Sequence, residues 1–292
     1  MKKSKDIHKV IKDYYNIKDM EKDNFIVKNL NIHPTAKIGK NVTIECNTFV
    51  LGANSIIKDN CVIKCNNFIA HEGLYMCESV EVGRGGCFGP NSNVYIGKNV
   101  GIFEKTIINP SDEVYIGDNV GIGGEVMIWT HGAWLDVMKG FPADFGPVKI
   151  GNDVWLPARS IVLPNVEIGD NTVIGIGSII NRSLPKGCFA AGSPCRVIKE
   201  NCYPKELTKK EKYSILENIV KDYIKLLKYK GIKAGIEVEP HQLVLDRNEK
   251  QTIFNLDERT ISGYEDEISE DMRDYLRRRG IKIFTGKNFK SI

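Results

Sequence analysis

Apolar residues return at every sixth position along much of this chain. Ile38, Ile44, Val50, Ile56, Val62, Phe68, Leu74 and Val80 fall on one register without a miss. Ile96, Ile102, Ile108, Val114, Val120 and Val126 make a second run, with Ile116, Ile122 and Ile128 on a parallel register. Ile150, Leu156, Val162, Ile168, Ile174 and Ile180 make a third. A helix repeats near 3.6 and an ordinary strand near 2, so neither sustains a period of six. A coil of short strands does. Each strand turns a large apolar residue inward, the chain bends, and three strands close a triangle of about eighteen residues. Glycine and asparagine or aspartate mark the bends at Ile38-Gly39-Lys40-Asn41, Ile96-Gly97-Lys98-Asn99, Ile116-Gly117-Asp118-Asn119, Ile150-Gly151-Asn152-Asp153 and Ile168-Gly169-Asp170-Asn171.

The interruptions are as informative as the period. The phase slips near Val82, at Gly83-Arg84-Gly85-Gly86, and the period stops after Trp129-Thr130-His131-Gly132. Residues 133–147 have no hexad and carry Trp134, Phe141, Pro142, Phe145 and Pro147, which predicts an extruded loop. Such a loop on a regular solenoid is more often functional than accidental. Residues 1–30 read as an amphipathic helical cap, with Ile7, Val10, Ile11 and Tyr14 on one side, covering the open end of the coil. After Ile180, Thr208 and Glu211 form a capping box for a helix whose face is Leu216, Ile219, Val220, Tyr223, Leu226 and Leu227, ended by Gly231. Strands are predicted near 235–246, 251–256 and 258–262, a helix near 267–279 and a last strand near 281–285. The organisation is thus a helical segment over 1–30, an all-β main domain over 31–202 with a loop at 132–147, and a small α+β appendage over 203–292.

Composition narrows the class. The 292 residues carry 41 basic and 37 acidic side chains, a net charge of +4, too balanced to argue for nucleic acid. No basic helix interleaved with aromatics stands out. The Lys-rich start lacks the apolar segment of a secretory signal, and no stretch approaches a membrane span. Eight cysteines show neither a CxxC pair nor zinc spacing with histidine, so they read as reduced thiols in a cytoplasmic protein, several filling coil positions. No metal is expected.

Residues 116–200 contain IGDNVGIGGEVMIWTHG, VKIGNDVW, IGDNTVIGIGSII and AAGSPCRVIKE in that order. In wording, order and spacing these stretches resemble the hexapeptide-repeat acetyltransferases, especially the galactoside, maltose and xenobiotic branch. The resemblance is close over under a third of the chain, loose over about half, and absent from 203–292. It implies a left-handed parallel β-helix, an exception to the usual right-handed crossover. It also implies a homotrimer with acetyl-CoA in the cleft between neighbours. Handedness and trimer come from the resemblance; the period of six carries neither.

The same resemblance places His131 at the family's catalytic histidine. A thioester is already activated, so the chemistry needs a base to take the acceptor's proton, and a neutral imidazole suits that task. The bland alternative is a surface or cap histidine. His71, in FIAHEGLYM, is a coil-corner residue or an acceptor-site residue. Glu125 either orients the imidazole or is a solvated corner carboxylate. Asp136 and Asp144 either touch the acceptor or are plain loop carboxylates, and Asn109 is a further strand-end candidate. Trp155 matches the tryptophan lining the family's substrate cleft, against a reading as a buried prism aromatic. After it the chain departs from the family: Pro157 stands where glycine is usual, and proline lacks the backbone N–H. For the coenzyme, matching positions are Ala158, Ile176, Asn181, Arg182, Arg196 and Lys199, with Asn181-Arg182 where Thr-Lys is common. For Arg196 and Lys199 the bland reading is solvated charge beside a turn.

The expected function is acetyl transfer from acetyl-CoA to oxygen or nitrogen of a sugar or sugar nucleotide, in surface-polysaccharide synthesis. A β-helical carbonic anhydrase would need three zinc-binding histidines, and the five here are scattered at 8, 33, 71, 131 and 241. A non-catalytic binding or assembly scaffold on the same prism is the remaining alternative. It has no need for WTHG and PCRVIKE together.

Overall fold

The computed structural model describes the chain from Phe25 onward, apart from residues 86–88, 240, 248, 288 and 292. The helical cap expected over 1–30 therefore lies outside the described residues as far as residue 24. The described residues divide into two compact units, one ending at Pro204 and one beginning at Lys205.

The first unit is a parallel β-coil of three faces. The first face stacks Asn93–Ile96, Val114–Ile116, Val148–Ile150 and Glu167–Ile168. The second stacks Glu81–Val82, Ile107–Asn109, Met127–Trp129, Ile161–Val162 and Ile179–Ile180. The third runs from Lys37–Ile38 through Gly121–Ile122 and Trp155–Leu156 to Phe189–Gly192. There the antiparallel Cys195–Lys199 strand closes it. At the other end, the long strands Phe25–Ile32, Thr43–Leu51 and Val62–Ala70 cross two faces without a sharp corner: the start of Val62–Ala70 pairs with Glu81–Val82 and its end with Asn93–Ile96.

Two sequence expectations need correction here. Residues 25–30 are strand, not helix, because Phe25 and Val27 alternate inward and pair in register with Ile44 and Cys46. The first hexad run also does not stay inside. Ile44, Phe68, Leu74 and Val80 are buried, whereas Ile38, Val50, Ile56 and Val62 are half-buried, and Phe49, Leu51, Ile57 and Ile63 take the interior places. The reason is coil length. Cys46 stacks on Cys65, 19 positions on, so the early coils exceed eighteen and the register walks off six. The later coils, with Asn152 bonding Asp170 18 positions on, keep it: Ile150, Leu156, Val162, Ile168, Ile174 and Ile180 are all buried.

The bends show why glycine and asparagine recur. A Cβ on Gly97 would lie 2.3 Å from Asp118 Oδ1 and 2.7 Å from the Gly117 carbonyl carbon, so the stacked turns meet only without a side chain. Asp118 Oδ1 accepts from the Lys98 N–H at 2.7 Å, and Asp170 Oδ1 from the Asn152 N–H at 2.6 Å. Asn99, Asn119 and Asn171 stand in the left-handed region, with φ of 58°, 57° and 57°, which asparagine tolerates better than most residues. Inside, Cys46, Cys61, Cys65, Cys77, Cys188 and Cys195 are buried free thiols, behaving as small apolar side chains.

The second unit packs two helices and a four-stranded antiparallel meander around their own apolar cluster. Helix α1, Lys209–Tyr229, starts at the Thr208–Glu211 capping box and buries Leu216, Ile219, Val220, Tyr223 and Leu227. Gly231, at φ 73°, follows its end. The single strand expected over 235–246 is two, Gly235–Val238 and Gln242–Arg247, paired antiparallel. Lys250–Asn255 and Thr260–Gly263 follow, then helix α2, Glu267–Arg277. Residues 281–285 form no strand. Ile283 is buried, and its carbonyl accepts from the fully buried Arg273 guanidinium at 3.1 Å, which takes the place of a ladder bond. No helix among the described residues is long and apolar enough to cross a membrane.

The bends give a direct test. A Cβ on Gly151 would lie 2.7 Å from the Asp170 backbone nitrogen, whereas one on Gly89 meets nothing within 4 Å. Gly151→Ala should cost about 1–3 kcal/mol, the usual range for overpacking. Gly89→Ala should stay within about 0.5 kcal/mol of the parent. Denaturant unfolding of both variants measures the difference.

Candidate active site

One corner of the prism, between the second and first faces, gathers the irregular features. Residues 83–85 and 89–92 lie off the coil there, chain leaves it again at 132–147, and Pro110-Ser111-Asp112 turns there in the coil between. His131 is the first residue of the larger excursion. It pairs with Phe145 in a two-residue antiparallel stem, His131–Gly132 with Asp144–Phe145, so the loop is clamped at its base. The imidazole is half-buried, with the Phe145 ring stacked 5.8 Å away and the Trp129 ring edge-on at 6.2 Å.

The imidazole is held through Nδ1. Asn109, fully buried at the end of the strand below, has its Oδ1 2.7 Å from that nitrogen, and Ser111 Oγ lies 2.9 Å from it. Asn109 Nδ2 donates to the Arg84 carbonyl at 2.7 Å, which fixes the amide with its oxygen toward the ring. A carbonyl oxygen only accepts, so Nδ1 carries a proton, and in the neutral ring the lone pair is on Nε2. Thr130 steadies the same corner: its hydroxyl donates to the Asn109 carbonyl at 2.7 Å and accepts from the Asp112 N–H at 2.9 Å. Asn109 thus holds the place that sequence reasoning offered to Glu125. The usable signal was register: Asn109 pairs directly with Trp129, two residues before His131.

The other sequence-selected residues scatter. Glu125 sits at the corner between the third and second faces, with φ 59°, and accepts from Arg159 Nε at 2.7 Å. That guanidinium holds its carboxyl below the usual carboxylate range. His71 follows the first face and is exposed at a third corner, away from His131. Asp136 caps the short turn Val137–Lys139, accepting from the Met138 N–H at 3.0 Å, so its carboxylate serves the loop itself. Asp144 lies exposed in the clamp.

Trp155 lies on the third face, 41% exposed, flat against Gly121, where a Cβ would come within 2.5 Å of its ring. It is not buried in the prism. Ala158 and Ile176 stack at the next corner, where the Gly177 N–H donates to the Ala158 carbonyl at 3.1 Å, and Ile176 is 74% exposed. Asn181 and Arg182 are exposed on the His131 corner, two rungs along, or about 10 Å at ordinary strand spacing. Arg196 and Lys199 are exposed on the closing strand of the third face, with one Arg196 Nη donating to the Cys195 carbonyl at 2.8 Å. One prism therefore carries His131 with Arg182 on one corner and Trp155, Ala158 and Ile176 around another, with the second face between. Among the described residues, no three histidine, cysteine, aspartate or glutamate side chains converge as a metal site would require.

Residues 147–182 match the family model for the bacterial transferase hexapeptide (six repeats). The galactoside O-acetyltransferase of Escherichia coli strain K12 is 52% identical over 54 residues, 18% of this chain and 27% of that protein. The chain spans between 27% and 57% of the length of the first curated relatives it matches. Among solved structures, a maltose O-acetyltransferase from Clostridium difficile 630 is 33% identical, over 44% of this chain and 69% of that one, with a TM-score of 0.35. A galactoside acetyltransferase in complex with coenzyme A is 32% identical, over 48% and 70%, with a TM-score of 0.40. The later coils, residues 147–182, are thus a hexapeptide-repeat segment of the bacterial transferase family.

Proposed function

We propose that this protein is an acetyltransferase that moves an acetyl group from acetyl-CoA to a hydroxyl or amine of a sugar or sugar nucleotide, with His131 as the base. The observation that carries the reading is the imidazole held through Nδ1 by Asn109, with Nε2 left to accept a proton, at the mouth of the one long loop. Nε2 takes the acceptor's proton as its oxygen or nitrogen attacks the thioester carbonyl. The C–S bond then breaks and the coenzyme thiolate leaves. Asn109 keeps the tautomer and steadies the charged ring, since its oxygen faces the N–H that remains. The E. coli relative, named for O-acetylation of galactosides, favours a sugar acceptor. Surface-polysaccharide synthesis in the cytoplasm, where acetyl-CoA is made, is the setting this reading gives the enzyme.

The coenzyme reading draws on both corners. Trp155, Ala158 and Ile176 supply an apolar wall for the pantetheine arm, and Arg182, Arg196 and Lys199 supply cations for its phosphates. Asp136, Asp144 and His71 remain acceptor-side candidates, with Asp136 the weakest because the loop uses its carboxylate. A single prism keeps the two corners apart, whereas a cleft between copies brings one corner of each together. The second face suits such packing. Its outward column of Ile107, Met127, Ile161 and Ile179 is apolar from rung to rung, while Ile108, Ile128, Val162 and Ile180 fill the interior. We infer a homotrimer with the donor between neighbours.

Three measurements test this. His131→Ala should lower turnover by about 10²–10⁴-fold, as loss of a general base does, with assembly and CoA affinity retained. Asn109→Ala should also lower kcat, and His71→Ala much less. Normal turnover in His131→Ala would remove the base. Light scattering should give three copies for the parent, and Ile161→Glu should release monomers that lose CoA binding. Removing charge at Arg182, Arg196 and Lys199 should weaken CoA more than dephosphorylated pantetheine, and salt should act in the same direction. Equal losses for both ligands would leave these cations as scaffold.

A further inference from the structure

The second unit has one helix face that its own fold does not use. Helix α1 buries Leu216, Ile219, Val220, Tyr223 and Leu227 against the unit's core. Along one flank run Lys210, Tyr213, Glu217, Lys221, Ile224 and Lys228, each three or four residues from the next, so they share one side of the helix. Tyr213 is 37% and Ile224 43% exposed. The stripe ends at a cavity of about 640 Å³, with Ile224, Leu227, Ile232 and Ala234 among its apolar walls and Lys228 and Lys233 beside them.

The pairing of the lysines is selective. Lys205 reaches Glu211, Lys225 reaches Asp222 and Lys230 reaches the buried Asp271. Lys210, Lys221, Lys228 and Lys233 make no ion pair among the described residues, even though Glu217 lies four residues before Lys221. Arg247 at the cavity is already matched by Asp266, and Asp246 accepts from Gln251 at 3.2 Å. The four lysines outnumber the carboxylates among them, Glu217 on the stripe and Asp246 in the cavity wall, so a net positive charge is interleaved with exposed apolar surface and backed by a hollow with apolar walls at Ile224, Leu227, Ile232 and Ala234. Water alone satisfies the lysines but not the Ile224 side of the stripe. An anionic surface with hydrocarbon just beneath its charge satisfies both. Nucleic acid fits less well, because a single aromatic ring lies on the stripe and the hollow beside it is aliphatic.

We propose that helix α1 and the cavity at its C-terminal end dock the protein onto an anionic lipid surface. The phosphates of the leaflet meet Lys210, Lys221, Lys228 and Lys233, and Ile224 settles at the headgroup boundary. This surface is independent of the acetyl-transfer reading. It stands or falls without a turnover assay.

The experiment is co-sedimentation of the full chain with vesicles of neutral phosphatidylcholine or of phosphatidylcholine containing phosphatidylglycerol. The parent should pellet with the anionic vesicles, weakly or not at all with the neutral ones, and salt should release it. Each lysine near an anionic leaflet is worth about a fivefold factor. The combined Lys221→Glu, Lys228→Glu and Lys233→Glu variant should therefore lose at least about tenfold in affinity. A charge-matched variant on the first unit, Lys37→Glu with Lys40→Glu and Lys105→Glu, should keep most of the binding, since these exposed side chains lie off the stripe. Ile224→Ser should weaken binding to anionic vesicles without altering the thermal unfolding profile. Equal pelleting with both vesicle types overturns the proposal, as do equal losses in the two triple variants. Absence of vesicle binding together with a single-stranded oligonucleotide that the stripe lysines retain overturns it in favour of nucleic acid.

Discussion

Each rung of the coil must lie directly on the one before it, about 4.8 Å away, and every other feature of the first unit answers to that demand. The ladder leaves little tolerance. Where turns meet, the separation excludes a side chain, as at Gly97, Gly117 and Gly151, and polar side-chain atoms bridge one turn to the next. Aspartate and asparagine do this with a side-chain oxygen accepting the preceding turn's N–H. The turn sequence is thus a stacking rule written into residues. Apolar burial supplies the driving force, but the turns decide which residues are presented to it.

The same rule decides where irregular chain can go. A residue added within a short strand would shift the next rung off its partner, while one added at a corner leaves both neighbouring rungs in place. Both excursions of this chain leave from the corner between the second and first faces. Where the ladder is interrupted, side chains take over its bonds: Asn109 reaches back to the Arg84 carbonyl, Thr130 to the Asn109 carbonyl, and Asn66 to the Pro90 carbonyl. His131 is held by this substitute network. The imidazole is positioned because the corner had to be repaired, and the buried asparagine that repairs it also selects the tautomer.

The period of six gave away the coil because inward positions are filled by large aliphatic residues with few exceptions. It was less faithful over the early coils, whose long strands and 19-residue repeat move the inward places from Val50 and Ile56 to Leu51 and Ile57. A hexad count cannot see one added residue per coil when the neighbouring residues are also apolar. Residues 25–30 escaped for a different reason: Phe25 and Val27 alternate with period two, while the helical reading rested on Ile7, Val10, Ile11 and Tyr14 further upstream. His131 was legible because the period stops beside it. Asn109 stood out only as a strand-end candidate; its hold on His131 was not legible, since its partner is one coil away and only register joins them. In the second unit, the capping box and apolar face marked α1, while the strand expected over 281–285 is absent, the Ile283 carbonyl accepting from Arg273 instead.

A triangular prism has convex corners and flat faces, and that shape limits what it does alone. A ligand held on several sides needs a concave wall, which such a coil offers only where chain leaves it or where another body lies against it. Within the first unit, one hollow of about 530 Å³ does form, and Gly89 and Pro90 of the smaller excursion are part of its wall. His131 has Phe145 and Trp129 beside it but no wall from the third face, where Trp155 stands half-exposed. The two corners are separated by the second face, whose outward side is the apolar column of Ile107, Met127, Ile161 and Ile179. An apolar flat face beside two half-built sites is economical if face and sites are completed by the same contact. In the proposed trimer, the burial that would hold copies together would also bring the second corner to the first.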